Sequence, residues 1–214
     1  MFAFLHGPVT AAGVLAGLTL AAGPLWYLHR AATTARFRAT HDDVTGLPNR
    51  RAVLALLHRA ARRGWPHGLV LLDLDKFKTI NDRYGHEAGN DLLTEVGRRL
   101  AAQPPPVVVA ARLSGDEFVL VVRGDPTAVR AAAVAAWHAI RAAPGRLGEH
   151  AVAIHASVGH AYAQPGGNPR GLIRAADEAM YRAKTPAPHG PGPRPAHPAP
   201  DPKPPGRCRD WPRP

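Results

Sequence analysis

A chain of 214 residues has room for one domain of about 100–200 residues plus short extensions. An apolar share of 45% permits a packed core, and the net charge of +11 raises nucleic acid as a partner, but the basic excess is scattered and comes with no aromatic stacking platform, which argues against that class. A single cysteine, Cys208, excludes an internal disulfide and fits a reducing compartment. In chain order, residues 1–30 open with an uncharged run from Pro8 to Leu28, long enough at 1.5 Å per residue to cross about 30 Å of hydrocarbon. Trp26 and Tyr27 stand at its C-terminal end, and Arg30, Arg36 and Arg38 follow it. Aromatic residues favour the interface and basic residues the cytoplasmic side, so a single-pass anchor is expected, with everything after Arg30 in the cytoplasm. A cleaved leader is the competing reading; the run lacks a positive n-region and exceeds the usual h-region length. Gly13 and Gly17 make a small-residue pair that would let two such helices approach.

Residues 31–40 are expected to form a helical linker. From Asn49 to Gly64, Val53, Leu54, Leu56 and Leu57 follow a helical pattern. Gly68–Asp73 is a short apolar run suited to a buried strand, and Leu92, Leu93, Val96 and Leu100 predict a helix over Gly89–Ala102. Val107–Leu113 and Phe118–Val122 predict two strands of a tight hairpin, turned at Ser114-Gly115-Asp116-Glu117 with Gly115 at positive φ. Asp125, followed by Pro126, is a natural cap for a helix running to Ala143. Ala151–Ala161 reads as a strand, with His155 and His160 as structural residues within it, and Pro169–Ala183 as a last helix. Residues 185–214 hold 12 of the 23 prolines and are expected to form a disordered, polyproline-leaning tail. The sum is an α/β domain, residues 41–184, in which helices cover a central, mostly antiparallel sheet.

Asp73 and Asp75 end the buried strand, and on extended backbone they share one face. Asp116 and Glu117 top the hairpin. If the two segments are neighbours, three or four carboxylates converge, and their repulsion calls for a cation. Oxygen-only ligands favour Mg²⁺ or Mn²⁺, which in turn points to a nucleoside triphosphate. Solvated turn acids are the alternative that each pair, taken alone, leaves open.

Four stretches resemble the GGDEF, or diguanylate cyclase, family in its own order and spacing. They are HDDVTGLPNRR from His41, DLDKFKTINDRYGHEAGN from Asp73 to Asn90, RLSGDEF from Arg112, and ADEAMYRAK from Ala176 to Lys184. The resemblance implies a ferredoxin-like fold related to adenylate cyclases, in an α+β sandwich, and condensation of two GTP into cyclic di-GMP and pyrophosphate. It implies metal binding by Asp73, Asp116 and the carbonyl of Leu74, with Glu117 beside them and Asp116 in a base-like catalytic role. Lys78 and Lys184 would offset phosphate charge, Asn81 would meet the base, His86 would support the pocket, and Ser114 and Gly115 would border the phosphates. One GTP per domain implies a homodimer, held here at the inner membrane, and a cyclic di-GMP signalling partner rather than nucleic acid.

Four places depart from the family pattern. Ser114 replaces a Gly, which matters if that position needs positive φ. Asn90 stands where the family has a guanine-reading Asp; an amide offers one acceptor and one donor, where a carboxylate would accept from both guanine N–H groups. Relaxed GTP/ATP use, or a weak or inactive module that binds GTP or a partner, are therefore the alternatives. Pro104–Val109 lacks the charges of the family's Arg-x-x-Asp feedback site, and Thr185-Pro186 replaces its usual exit from the closing helix, which implies a missing final strand.

Overall fold

The structure, a computed structural model, describes residues 11–163 and 167–184 and the backbone of Arg194–Pro195; for 11–25 it describes the backbone alone. The chain divides into two compact units, Met1–Ala39 and Thr40–Pro214. The first is helical: α1 runs from Ala11 to Thr40 and includes the predicted linker. Among the described residues no helix is long and apolar enough to cross a membrane. Most of the predicted span, Pro8–Leu28, lies outside the residues whose side chains are described.

In the second unit the order is α2 (Arg50–Arg62), β1 (His67–Leu74), α3 (Phe77–Ala101), β2 (Val107–Ser114), β3 (Glu117–Arg123), α4 (Pro126–Arg141), β4 (Gly145–Leu147), β5 (His150–Val152), β6 (Ala156–Ala163), α5 (Pro169–Lys184) and β7 (Arg194–Pro195). Five strands form one sheet in the order β2-β3-β1-β6-β7, antiparallel except for β6–β7, while β4 and β5 make a separate ribbon. β1 lies at the centre and every residue of it is buried, which explains its unbroken apolar run. On one face Val70, Leu72, Val96, Leu100 and Ile140 pack under α3 and α4. On the other, Leu69, Leu71, Leu57, Ile173 and Met180 pack under α2 and α5.

Local chemistry sets the ends of the helices. The Asn49 side chain accepts from the backbone N–H groups of Arg51 and Ala52 to start α2, and Asp125 accepts from Ala128 N to start α4. Arg99 from α3 donates to the carbonyls of Ile140 and Ala143 at 2.6 Å each, satisfying acceptors that the end of α4 leaves open.

Four expectations need correction. α3 begins at Phe77 rather than Gly89, because its first two turns are held by Phe77 packing into the core ahead of a break at Gly85 (φ 85°, ψ 163°). The predicted strand Ala151–Ala161 is two strands, parted at residues 153–155; His155 therefore lies in a connection, where its Nδ1 meets Arg141 Nη1 at 2.7 Å. His160 does lie in β6, buried, with burial and then Arg130 pushing its pKa down. The tail is not wholly without strand, since Arg194–Pro195 pair in parallel with Gly159–His160 at the sheet edge, where proline is tolerated. The remainder of 185–214 lies outside the described residues.

β6 can approach α5 closely because position 159 has no side chain: a Cβ there would meet the backbone N of Met180 and the carbonyl of Ala176. Gly159→Ala should therefore lower stability by about 1–3 kcal/mol, as overpacking against rigid backbone does. Urea unfolding of the variant beside the parent chain measures it, and equal midpoints would refute the close contact.

Candidate functional site

Pairing of β1 with β3 places Asp73 directly opposite Glu117 in the sheet register. One residue on, the backbone N–H of Leu74 donates to the carbonyl of Asp116 at 3.2 Å. The two acidic segments that lie over 40 positions apart in sequence are therefore joined by the ladder itself. Gly115 carries the turn, with φ 48°, and Ser114 does not, so the serine meets no left-handed strain. Its Oγ instead donates to Glu117 Oε2 at 3.1 Å.

The entrance motif braces this turn. Arg112 donates through Nη1 to both carboxylate oxygens of Asp42, at 2.9 and 3.1 Å, and through Nε to the carbonyl of Gly115 at 2.8 Å. Asp42 also accepts from the N–H and hydroxyl of Thr45, each at 2.8 Å. Burial alone would raise the Asp42 carboxyl, but these donors, Arg112 foremost, hold it below its usual value.

A cavity of about 550 Å³ opens beside the carboxylates, lined by Asp73, Asp75, Asp116, Lys76, Lys78 and Lys184 among others. Asp73 is 8% exposed. Its pKa is raised by burial, and further by the charges of Asp116 and Asp75, against the lowering pull of Lys184. Lys184 Nζ sits 2.7 Å from Asp73 Oδ1. Glu117 is raised too, by burial first and then by Asp73, Asp177 and Asp116, with the Ser114 bond opposing. Ser157 on β6 donates to Asp75 Oδ1 at 2.7 Å, and the N–H of Asp75 donates to the carbonyl of His155. Lys76 caps α3 from the left-handed region, φ 59°, a conformation that costs about 1–2 kcal/mol for a side-chain residue.

Farther along α3 the break at Gly85 separates Asn81 from His86, and both His86 and Asn90 are exposed. Gly89 packs on the Asn81 amide so tightly that a Cβ there would strike Asn81 Oδ1. That oxygen is buried with no hydrogen-bond partner. Of the residues singled out from sequence, the structure thus gathers Asp73, Leu74, Lys78, Asp116 and Lys184 on one cavity, with Glu117 paired across the strands. Asn81, His86 and Asn90 lie apart on α3 and do not line it. Sequence reasoning missed Ser157, which no motif marks, and gave no role to Asp177. The latter had a signal: seven residues before Lys184 on one helix, it shares that residue's face.

The oxygen-only donors and the crowded negative charge around Asp73 fit a hard divalent ion such as Mg²⁺ or Mn²⁺. Among the described residues, no group of three or more His, Cys, Asp or Glu is disposed to hold a metal ion; the ammonium of Lys184 stands on Asp73 instead.

Comparison with known proteins follows the same segments. The family model "Diguanylate cyclase, GGDEF domain" matches residues 39–187. Diguanylate cyclase TpbB of Pseudomonas aeruginosa is 37% identical over 156 residues, covering 69% of this chain and 35% of its own. Cyclic di-GMP phosphodiesterase PdeR of Escherichia coli is 39% identical over 159 residues, 72% of this chain and 24% of its own. The chain thus spans about a third or less of those relatives. The coiled coil and GGDEF domain of DgcB from Caulobacter crescentus, solved in complex with c-di-GMP, superposes with a TM-score of 0.74 at 27% identity, covering 86% of this chain and 99% of that one.

Removing the brace should loosen the turn that carries Asp116. Asp42→Asn is expected to cost about 1–3 kcal/mol, the range for a charge-assisted bond. Because the folded carboxyl sits below its reference of 3.8, that contribution is present above this pH and lost as pH falls through the lower folded value. Unfolding free energies from pH 7 to 2 should therefore show the gap between parent and variant closing on the acid side. A gap that is constant with pH would contradict the assignment.

Proposed function

The chain belongs to the GGDEF family, and from that premise we propose that it is a diguanylate cyclase, joining two GTP into cyclic di-GMP with release of pyrophosphate. The observation that carries the reading is the register of Asp73 against Glu117 with Leu74 bonded to Asp116, beside a cavity that also holds lysines.

In this reading Asp73, Asp116 and the carbonyl of Leu74 would hold the divalent ion. When bound, such an ion neutralises phosphate charge, polarises the α-phosphate and lowers the pKa of a 3′-hydroxyl. Asp116, on the turn, is the acceptor for the 3′-hydroxyl proton, and Glu117 lies across the ladder from Asp73. Lys78 and Lys184 receive the triphosphate, with Ser114 and Gly115 bordering it. Asn81, with an open acceptor on its buried oxygen, reads the base together with Asn90, and His86 supports that end of the pocket. Each domain brings one GTP, so turnover requires two domains face to face. The uncharged run and the arginines that follow it support a membrane anchor in residues 1–30, with 31–40 as linker and the domain of 41–184 in the cytoplasm. Anchoring raises the local concentration of partners.

Asp116→Asn should cut pyrophosphate release from GTP with Mg²⁺ by at least about a hundredfold, the scale of losing a group that acts on developing charge. No release from the unaltered chain at high protein concentration would instead identify a module that binds GTP without turnover. Asn90 should weaken the preference for guanine. An equimolar GTP/ATP mixture is expected to give adenine-containing cyclic dinucleotides beside cyclic di-GMP, and Asn90→Asp should restore the latter alone. Cyclic di-GMP as the sole product of the unaltered chain would remove the relaxed-selectivity reading.

A further inference from the structure

The end of α5 reaches into the carboxylate cluster, and Lys184, its last residue, touches the acid rather than open solvent. Its ammonium lies 2.7 Å from Asp73 Oδ1, and the Lys184 side chain keeps only 31% of its exposure and that of Asp73 11%. Asp75 and Asp116 line the same cavity, so this ammonium is the cation that offsets the crowding at Asp73 in the nucleotide-free domain.

A divalent ion bound by the same carboxylate at about 2.1 Å would stand against that ammonium, and two cations on one carboxylate repel strongly in a partly dehydrated site. Each weakens the hold of the other. Lys184 is tethered and its side chain has four rotatable carbons, so it can swing toward the cavity that the two residues share. A triphosphate arriving with the metal offers it new acceptors there. Metal alone offers it none.

We propose that Lys184 is a built-in counter-cation that keeps free divalent metal off Asp73 and passes to the nucleotide phosphates on loading, so that metal binds well only together with a triphosphate. Lys184 is thus a positioning residue that makes metal occupancy conditional on substrate. The triphosphate's identity as GTP rests on the cyclase reading; the exclusion of free metal does not.

The test uses the full chain without nucleotide and follows Mn²⁺ by loss of its free-ion electron paramagnetic resonance signal. Lys184→Met should bind Mn²⁺ alone about tenfold or more tighter than the parent, since a like charge has left. In saturating Mn²⁺ it should bind α,β-methylene GTP about tenfold more weakly. Lys184→Arg, which keeps the charge, should behave as the parent in the metal-only titration. Arg170→Met, exposed near the start of α5 and outside the cavity, should leave metal-only affinity within about twofold; both Met variants are compared at equal, cooperative thermal unfolding. Metal-only affinity of Lys184→Met equal to or below the parent's overturns the proposal, even where the parent makes cyclic di-GMP. Tightened metal binding with no turnover by the parent leaves the counter-cation standing and removes the cyclase reading instead.

Discussion

Antiparallel pairing of β1 with β3 is the constraint on which the rest depends. In an antiparallel ladder, residues directly opposite each other lie within about 5.5 Å at Cα, so the match of Asp73 to Glu117 leaves the two acids no choice but to be neighbours. A shift of one residue would send Asp73 to the other face of the sheet, under α3 and α4, among the apolar side chains of Leu72, Leu74 and Val96. Phe118–Val122 of β3 are buried without a break against the fully buried β1, with Glu117 and Arg123 at the two ends of the strand. The core on both faces of the sheet is thus also what aligns the chemistry.

Crowding acids at a sheet end costs stability, and the structure offsets that cost with contacts from three other elements. α5 supplies Lys184 to Asp73, β6 supplies Ser157 to Asp75, and the segment before α2 supplies Asp42, which fixes Arg112 and through it the carbonyl of Gly115. Arg112 suits this task because its planar fork can serve a carboxylate and a carbonyl at once. The four sequence motifs are consequently one site: entrance, strand end, hairpin and closing helix meet at a single edge. The GGDEF family model covers that same region, residues 39–187.

Much of this was legible because each element carried a local signal. The unbroken GLVLLD run announced a strand covered on both sides, Gly115 announced a turn needing positive φ, and Asp125-Pro126 announced a helix start. What was missed depended on tertiary contacts. Residues 77–84 carry mostly polar residues, and their helix rests on Phe77 reaching the core. The gap at 153–155 is Ala153-Ile154-His155, with no Gly or Pro to mark a break, so the sequence pattern could not divide β5 from β6. Ser157 gains its meaning only from Asp75, which is 82 positions away. The separation of His86 and Asn90 from the carboxylate cavity likewise follows from the path of α3 after Gly85, a backbone break that composition does not reveal.

The acid at the end of β1 puts a divalent ion in contact with nucleotide phosphate if the proposed chemistry holds. Pulsed electron paramagnetic resonance of the full chain with Mn²⁺ and α,β-methylene GTP reads this as a ³¹P hyperfine coupling on the protein-bound ion. The coupling is expected in the parent and should be lost, with the folded state intact, in Asp73→Asn. A phosphorus coupling of equal strength in both proteins would place the metal elsewhere and contradict the account.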